Sequence, residues 1–525
     1  MPRLPQCYSL LAIWPLLLLS GLHGMSSETC VKCHPTQVIS YAKTGMANSL
    51  GRPVRQSGGA FQHALSGSRI EITSDPAGMK HRLKQNGLDA VYRISYFVGS
   101  GNHGRSYLIE LEGRLFQSPA SWYTARRKWD LSPGFDIQRE LDFDRPITAE
   151  CLFCHSGAPR PVAFTLNSYE QPAFASEAIT CERCHGPSDR HVVQPSVRNI
   201  VNPAKLPPRL RDAVCEQCHL GGEARILNPG RQPGDFRPGQ SLEDTLAVYI
   251  FDRPSDSRGE AMKVVSHSEQ LAASKCAQQS AGRMWCGTCH DPHDRPSQPV
   301  VPYKQRCQQC HPPTSLVKHP ERTEDCVGCH MPRRRAYDGG HTAFTDHQIL
   351  ATPGELDSRR NDTVKLRPWR EPPAELAARN LGLAWISAGE RLQSASHLNE
   401  GFRILSGIES KFAADPVVLT SLGAVLQRKK APAAAVRYFS RATELEPLNA
   451  SHRLNLAIAL MEAGHRTGAI AELEKVIDQD PSMRDAYILM AEIYQDSGQS
   501  EARRQILARY LKFMPQSIAV RKMLR

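Results

Sequence analysis

One pentapeptide, written seven times, constrains this chain more than anything else in it. Fourteen of its sixteen cysteines fall in C-x-x-C-H: Cys30-Cys33-His34, Cys151-Cys154-His155, Cys181-Cys184-His185, Cys215-Cys218-His219, Cys286-Cys289-His290, Cys307-Cys310-His311 and Cys326-Cys329-His330. Only Cys7 and Cys276 stand outside the motif. Two thiols three residues apart, followed at once by an imidazole, form the attachment sequence of haem c: the thiols bond to the porphyrin vinyl groups and the histidine ligates the iron. The competing uses of paired cysteines are zinc ribbons and disulfide frameworks. Neither requires histidine directly after the second cysteine, so the unbroken run of seven favours seven covalently bound haems c.

Each iron has a sixth position, and what fills it decides between electron transfer and substrate binding. Twenty histidines are present. Seven belong to the motifs, His23 lies near the N-terminus, and His397, His452 and His465 lie towards the C-terminus. Nine are left: His63, His81, His103, His191, His267, His293, His319, His341 and His347. Nine candidates for seven irons allow two histidines per haem. His191, His267, His293, His319, His341 and His347 follow or lie between motifs and are the leading candidates for second ligands, with His103 and His63 behind them. His81 reads equally well as a hydrogen-bonded structural histidine. Met46 is a thioether alternative that reads better as packing, and Cys276 reads as a small buried hydrophobe.

Residues 1–27 read as an export signal, with Arg3 ahead of an apolar stretch from Tyr8 to Leu22. That stretch is shorter than the roughly 20 residues of a membrane-spanning helix. The expectation is a periplasmic or extracellular protein with no integral membrane segment after signal removal; retention as an N-terminal anchor is the alternative. The formal charge of +12 would ordinarily suggest an anionic partner. Haem propionates account for the excess of Lys and Arg, so no nucleic acid partner is expected.

The motifs crowd into residues 151–219 and 286–330, leaving little room for an ordinary core, so the expectation is a haem-packed, mostly α or irregular region over residues 28–350. Inside it, about 65–140 reads as a small inserted β-sheet: Val91–Val98 and Ser106–Leu111 carry strand-like residues and Glu112-Gly113 is a turn signal. Trp122, Tyr123 and Trp129 read as its core. Residues 351–373, rich in charge and proline, read as a linker. From 374 to 525 the period becomes 34 residues, marked by Pro447, Pro481 and Pro515. Leu422-Gly423, Leu456-Ala457 and Met490-Ala491 recur in register, followed by Ala435 and Ala469 and then by Phe439, Leu473 and Leu507. This is the tetratricopeptide helix-turn-helix pattern, with Leu381-Gly382 and Trp385 marking a degenerate fourth unit with an insertion. An all-α solenoid is predicted, whose concave face binds partner proteins.

Three stretches carry a family resemblance: Ala178-Ile179-Thr180-Cys181-Glu182-Arg183-Cys184-His185-Gly186-Pro187 with His191; Cys286-Gly287-Thr288-Cys289-His290-Asp291-Pro292-His293; and Cys329-His330-Met331-Pro332 with His341 and Phe344-Thr345-Asp346-His347. A fourth is Gly99-Ser100-Gly101-Asn102-His103-Gly104-Arg105-Ser106-Tyr107-Leu108. The chain resembles the multihaem cytochromes c of the cytochrome c-554 type, in the version fused to tetratricopeptide repeats. The resemblance implies second-ligand roles for His191, His267 and His293, and electron shuttling outside the cytoplasm. Seven motifs exceed the four of the simplest members, so the haem arrangement does not carry over.

The expected function is electron transfer along a chain of haems, with the repeats docking redox partner proteins and the oligomeric state open. The first alternative is an oxidoreductase acting on a small nitrogen or sulfur species at one open haem, although no C-x-x-C-K variant marks such a site. The second is a repeat scaffold in which the haems are structural.

Overall fold

The computed structural model describes residues 27–252, 262–295, 300–312, 325–351 and 365–525. The segment read as an export signal lies outside the described residues, apart from Ser27, as does His319. No helix among the described residues is long and apolar enough to cross a membrane.

The N-terminal half is built mainly of strands, which corrects the expectation of a mostly helical or irregular region with a small β insert. Eleven strands lie between Leu50 and Pro146. Four of them, Gly59–His63, Ser68–Asp75, Gly78–Gln85 and Leu88–Arg93, form an antiparallel meander. Its side chains alternate as a half-buried strand demands: Ile70 and Ile72 point inward while Arg69 and Glu71 share a surface ion pair. The last hairpin turns on Asn86-Gly87, both at positive φ (49° and 73°), the backbone a two-residue turn of this kind requires.

A second sheet has seven strands. Leu50–Gly51, Tyr96–Val98, Gly104–Leu111, Arg114–Gln117 and Arg145–Pro146 lie side by side, and the hairpin of Ala120–Tyr123 and Lys128–Leu131 branches from Gly104–Leu111. Glu112-Gly113 makes the turn read from the sequence, again with both residues at positive φ. Tyr107, Phe116, Trp129, Phe135 and Phe143 fill the core beneath it.

Between Ala149 and His330 the helices are mostly short, and several hold little more than one motif. Ala149–His155, Glu182–His185, Cys286–Cys289 and Cys326–His330 have 7, 4, 4 and 5 residues. Val300–Gln308 and Pro208–His219 are longer, with 9 and 12. Further strands pair between them. Ala224–Leu227, Leu246–Phe251 and Leu366–Pro368 make a three-stranded antiparallel sheet. The last of these strands lies in the segment read as a linker. Residues 365–373 are therefore part of the folded body: Trp369 Nε1 and Arg370 Nη2 each donate to Glu216 Oε1 at 3.0 Å.

The C-terminal region is a tetratricopeptide array of four helix pairs: Ala377–Leu392 with Ala395–Ser406, Pro416–Arg428 with Pro432–Leu445, Ala450–Glu462 with Arg466–Gln479, and Arg484–Asp496 with Ser500–Phe513. Ile518–Met523 caps it. The degenerate first unit is a full pair, and its insertion is the turn around Glu409–Phe412. The small residues of the repeat are required by close approach. A Cβ on Gly423 would sit 2.8 Å from the Phe439 ring, and one on Gly401 would sit 2.7 Å from the Gly382 carbonyl oxygen. Where the earlier repeats have Ala435 and Ala469, both fully buried, the last has Arg503, whose guanidinium reaches the Met523 carbonyl at 3.0 Å.

The array is seated on the rest of the molecule at both ends. At its start, helix Ala377–Leu392 packs on the three-stranded sheet, so that Ile226, Tyr249 and Leu366 share one core with Leu383 and Ile386. At its finish, Val476, Tyr487, Tyr510 and Phe513 share one core with Ile70, Tyr92 and Phe143 of the β-domain.

One buried group in the β-domain has a measurable pH signature. His81 is fully buried between Tyr107 and Trp129, with Nδ1 2.7 Å from Ser118 Oγ and Nε2 without a partner. Burial pulls its pKa down to about 3. The unfolded chain binds a proton below about pH 6.5 that the folded domain excludes. This contribution to stability is therefore intact above about 6.5 and falls by about 1.4 kcal/mol per pH unit as pH drops towards 3. His81→Gln should flatten the dependence of unfolding free energy on pH between 6 and 4.5 by about that slope, measured by denaturant titration at each pH.

Candidate functional site

All seven motifs share one local shape. In four of them the histidine N–H donates to the carbonyl of the first cysteine: His34 to Cys30 at 2.8 Å, and His185, His290 and His311 to Cys181, Cys286 and Cys307 at 2.9 Å. The other three lie inside helices whose own ladder does the same. One α-turn brings positions i, i+3 and i+4 to a common face, so both thiols and the imidazole of each motif point the same way.

The fold then brings motifs together. The thiols of Cys30 and Cys181, of Cys154 and Cys218, of Cys215 and Cys286, and of Cys307 and Cys326 are neighbours. No disulfide joins any cysteine among the described residues. Burial pushes the Cys30, Cys184 and Cys307 thiols up to about 11.

Four motif histidines have a second histidine ring close by. His34 and His191 have ring centroids 6.4 Å apart and planes 17° from parallel. His185 and His293 are 5.8 Å apart at 23°. His219 and His267 are 5.5 Å apart at 90°, and His290 and His347 are 6.1 Å apart at 34°. The last two pairs meet each other, since His267 and His347 are 4.7 Å apart. His191, His267, His293 and His347 are thus the four predicted second ligands that the fold delivers to a motif.

The outer hydrogen bonds of these rings are largely fixed. Nδ1 of His185 is 2.7 Å from the Val201 carbonyl oxygen, and Nδ1 of His347 is 3.0 Å from that of Thr345. His191 Nδ1 lies 3.1 Å from the Ser196 carbonyl oxygen, His293 Nδ1 3.2 Å from Asp291 Oδ1, and His290 Nδ1 3.1 Å from the Tyr303 hydroxyl. His330 Nδ1 is 2.6 Å from the Leu350 carbonyl oxygen. An acceptor at Nδ1 fixes the tautomer that leaves the Nε2 lone pair for a metal. Val201, Ser196, Leu350 and Tyr303 carry no motif, which is why the sequence did not reveal them.

The other candidates lie elsewhere. His63 is in the β-domain with both ring nitrogens engaged, Nδ1 by Ser66 Oγ at 2.8 Å and Nε2 by the Asp136 carbonyl oxygen at 3.3 Å. His341 Nε2 is 3.1 Å from Asp130 Oδ2, with its ring against Tyr123. His103 packs its ring 4.3 Å from Phe344. These three are held by the β-domain and its neighbours, and none has a ring contact with a motif histidine among the described residues. Cys276 sits partly buried in the short helix Lys275–Gln279.

Two observations bear on what the motifs can hold. Among the described residues no three of His, Cys, Asp or Glu converge on one point. Protein core is also scarce around the last three motifs. Between Phe251 and Leu366 the buried apolar residues are Met262, Ala336 and Leu350 among those described. A porphyrin face would give the described part of this segment an apolar body to pack on. The thiol-and-imidazole faces and the paired rings fit haem c.

A tetratricopeptide repeat family model matches residues 460–525. No curated protein matches the chain. Among solved structures, a crystal structure of MamA is 18% identical over 27% of this chain and 88% of its own, with a TM-score of 0.24. A MamA from Desulfovibrio magneticus RS-1 is 14% identical over 27% and 85%, with a TM-score of 0.24. YrrB, described as a TPR protein with an unusual peptide-binding site, is 21% identical over 29% and 74%, also at 0.24. The family match falls on helix Arg466–Gln479, the last helix pair and the cap, and identifies this part of the C-terminal region as tetratricopeptide repeats.

Proposed function

We propose that this chain is an exported multihaem c-type cytochrome that transfers electrons, periplasmic or extracellular, with its repeats docking a redox partner protein. The observation that carries the reading is the delivery of a second histidine to four motif histidines, namely His34, His185, His219 and His290. Haem c, when bound, supplies a reversible one-electron change at iron.

The chain's own residues do the rest. Each C-x-x-C-H turn offers two thiols for attachment and one imidazole as the proximal ligand. His191, His293, His267 and His347 would supply a second imidazole to the groups held by His34, His185, His219 and His290, which would leave those irons to electron transfer. The carbonyls of Val201, Ser196 and Thr345 hold the rings in the ligating tautomer. The thiol neighbours set motif beside motif, Cys30 by Cys181 and Cys215 by Cys286, so groups held by such motifs would lie close together.

Intact mass of the mature protein from a host with haem-maturation machinery, paired with electron paramagnetic resonance of the oxidised form, tests the reading. Seven haem additions with low-spin ferric signals are the expected result. A chain without haem mass would sink it. A strong high-spin signal that changes on adding nitrite or sulfite would shift the assignment to an oxidoreductase with one open iron.

A further inference from the structure

The last helix pair and cap of the array are seated on a five-residue segment of the β-domain, Glu140-Leu141-Asp142-Phe143-Asp144, in which acid and apolar residues alternate. Leu141 and Phe143 are fully buried on one side, Phe143 with its ring 4.7 Å from that of Tyr92. The three carboxylates engage the array on the other. Glu140 Oε1 accepts from Lys522 Nζ at 2.6 Å. Asp142 Oδ2 accepts from the Ser517 hydroxyl at 2.7 Å and from the Ala519 amide at 3.1 Å. Asp144 pairs with Arg484.

Backbone contacts on the neighbouring hairpin extend the seat. The Val91 amide donates to Gln516 Oε1 at 2.6 Å, and Arg521 and Arg525 donate to the carbonyls of Asp89 and Asn86, each at 2.9 Å. Arg114 lies over the Phe513 ring and bonds Asp480 at 3.0 Å. A cleft of about 410 Å³ runs along the seam, lined on the array side by Leu454 and Ile488. These two stand 34 residues apart and so hold the same position in successive repeats.

We propose that this segment is the resident ligand of the C-terminal end of the array: an acidic, alternating key bound in cis. Tetratricopeptide arrays bind extended segments of partner proteins on such repeated positions, and here the chain supplies one itself. The exposed pair Glu140–Lys522 contributes little, as surface ion pairs do. Specificity lies with Asp142, buried against the Ser517 and Ala519 donors, since a carboxylate taken out of water must find its partners there. While the key is seated, the last helix pair is closed to an outside protein, and the docking role proposed above falls to the first two pairs. The inference rests on the repeats and not on haem, so it stands or falls separately from the electron-transfer reading.

The holoprotein is to be treated with a zero-length carbodiimide, and the products mapped by peptide mass spectrometry with light and heavy copies mixed. A Lys522–Glu140 link within single chains is expected; links only between copies, or none, would overturn the cis assignment. In parallel, Arg484→Asp should speed amide exchange about tenfold in residues 86–93 and 500–525 while leaving 377–445 unchanged. Adding Asp144→Arg should restore protection. Unchanged exchange in Arg484→Asp, or no restoration by the swap, would show that the acidic segment does not hold the array.

Discussion

Arg379→Met should destabilise the C-terminal array by about 3–5 kcal/mol, the cost of leaving a buried charge without its partner. Arg379 is 1% exposed, on the first helix of the array. Its guanidinium donates to Asp415 Oδ2 at 2.6 Å, to the Leu227 carbonyl oxygen at 2.9 Å and to Asn380 Oδ1 at 2.7 Å. One side chain thus ties together the first helix pair, the second pair and the three-stranded sheet. Asp415 also caps helix Pro416–Arg428 by accepting from the amides of Val417 and Val418, so it stays buried at the helix start whether or not Arg379 is present. Adding Asp415→Asn should recover part of the loss, because a neutral amide keeps an acceptor for the cap without stranding a charge. Urea titration of the full chain, following helical signal, gives the comparison. A single variant within about 1 kcal/mol of the parent would show that the array start is held by apolar packing alone.

A chain produced without haem attachment should lose protection selectively. Residues 262–350 are expected to exchange on the order of a hundredfold faster than in the haem-loaded protein, because local opening free energy follows buried apolar contact. The β-domain core around Ile70, Tyr107 and Phe143 and the array core around Phe439 and Leu473 have their own packing and should change little. Hydrogen exchange with mass spectrometry on both forms reads this directly. Equal protection of residues 262–350 in the two forms would mean that this stretch does not depend on a bound group, and would count against the haem reading.

Local patterns were more legible in the sequence than long-range pairing. The motifs and the 34-residue period are local patterns, and both survive into the structure as single turns and helix pairs. The Glu112-Gly113 turn was legible for the same reason. The three-stranded sheet was not, because Ala224–Leu227 and Leu366–Pro368 are only four and three residues long, and the second pairs with Leu246–Phe251 across more than 100 residues of chain. The acidic key escaped notice because its alternation spans five residues without a regular strand. Among the histidines, His191, His293 and His347 lie near a motif in sequence and also have a ring contact with a motif histidine. His341 follows the last motif by eleven residues and turns towards Asp130.

Because the array is anchored at both ends, each anchor keeps the other at high local concentration. A helix pair that lifts from the acidic segment stays tethered through Arg379 and the apolar contacts of Leu383 and Ile386, so its return is unimolecular. Effective concentrations for such tethered pairs are on the order of millimolar. An outside segment of equal intrinsic affinity would have to reach that concentration to displace the key half of the time. Competition at this end of the array is therefore open to a partner that is itself held nearby, and closed to a dilute one.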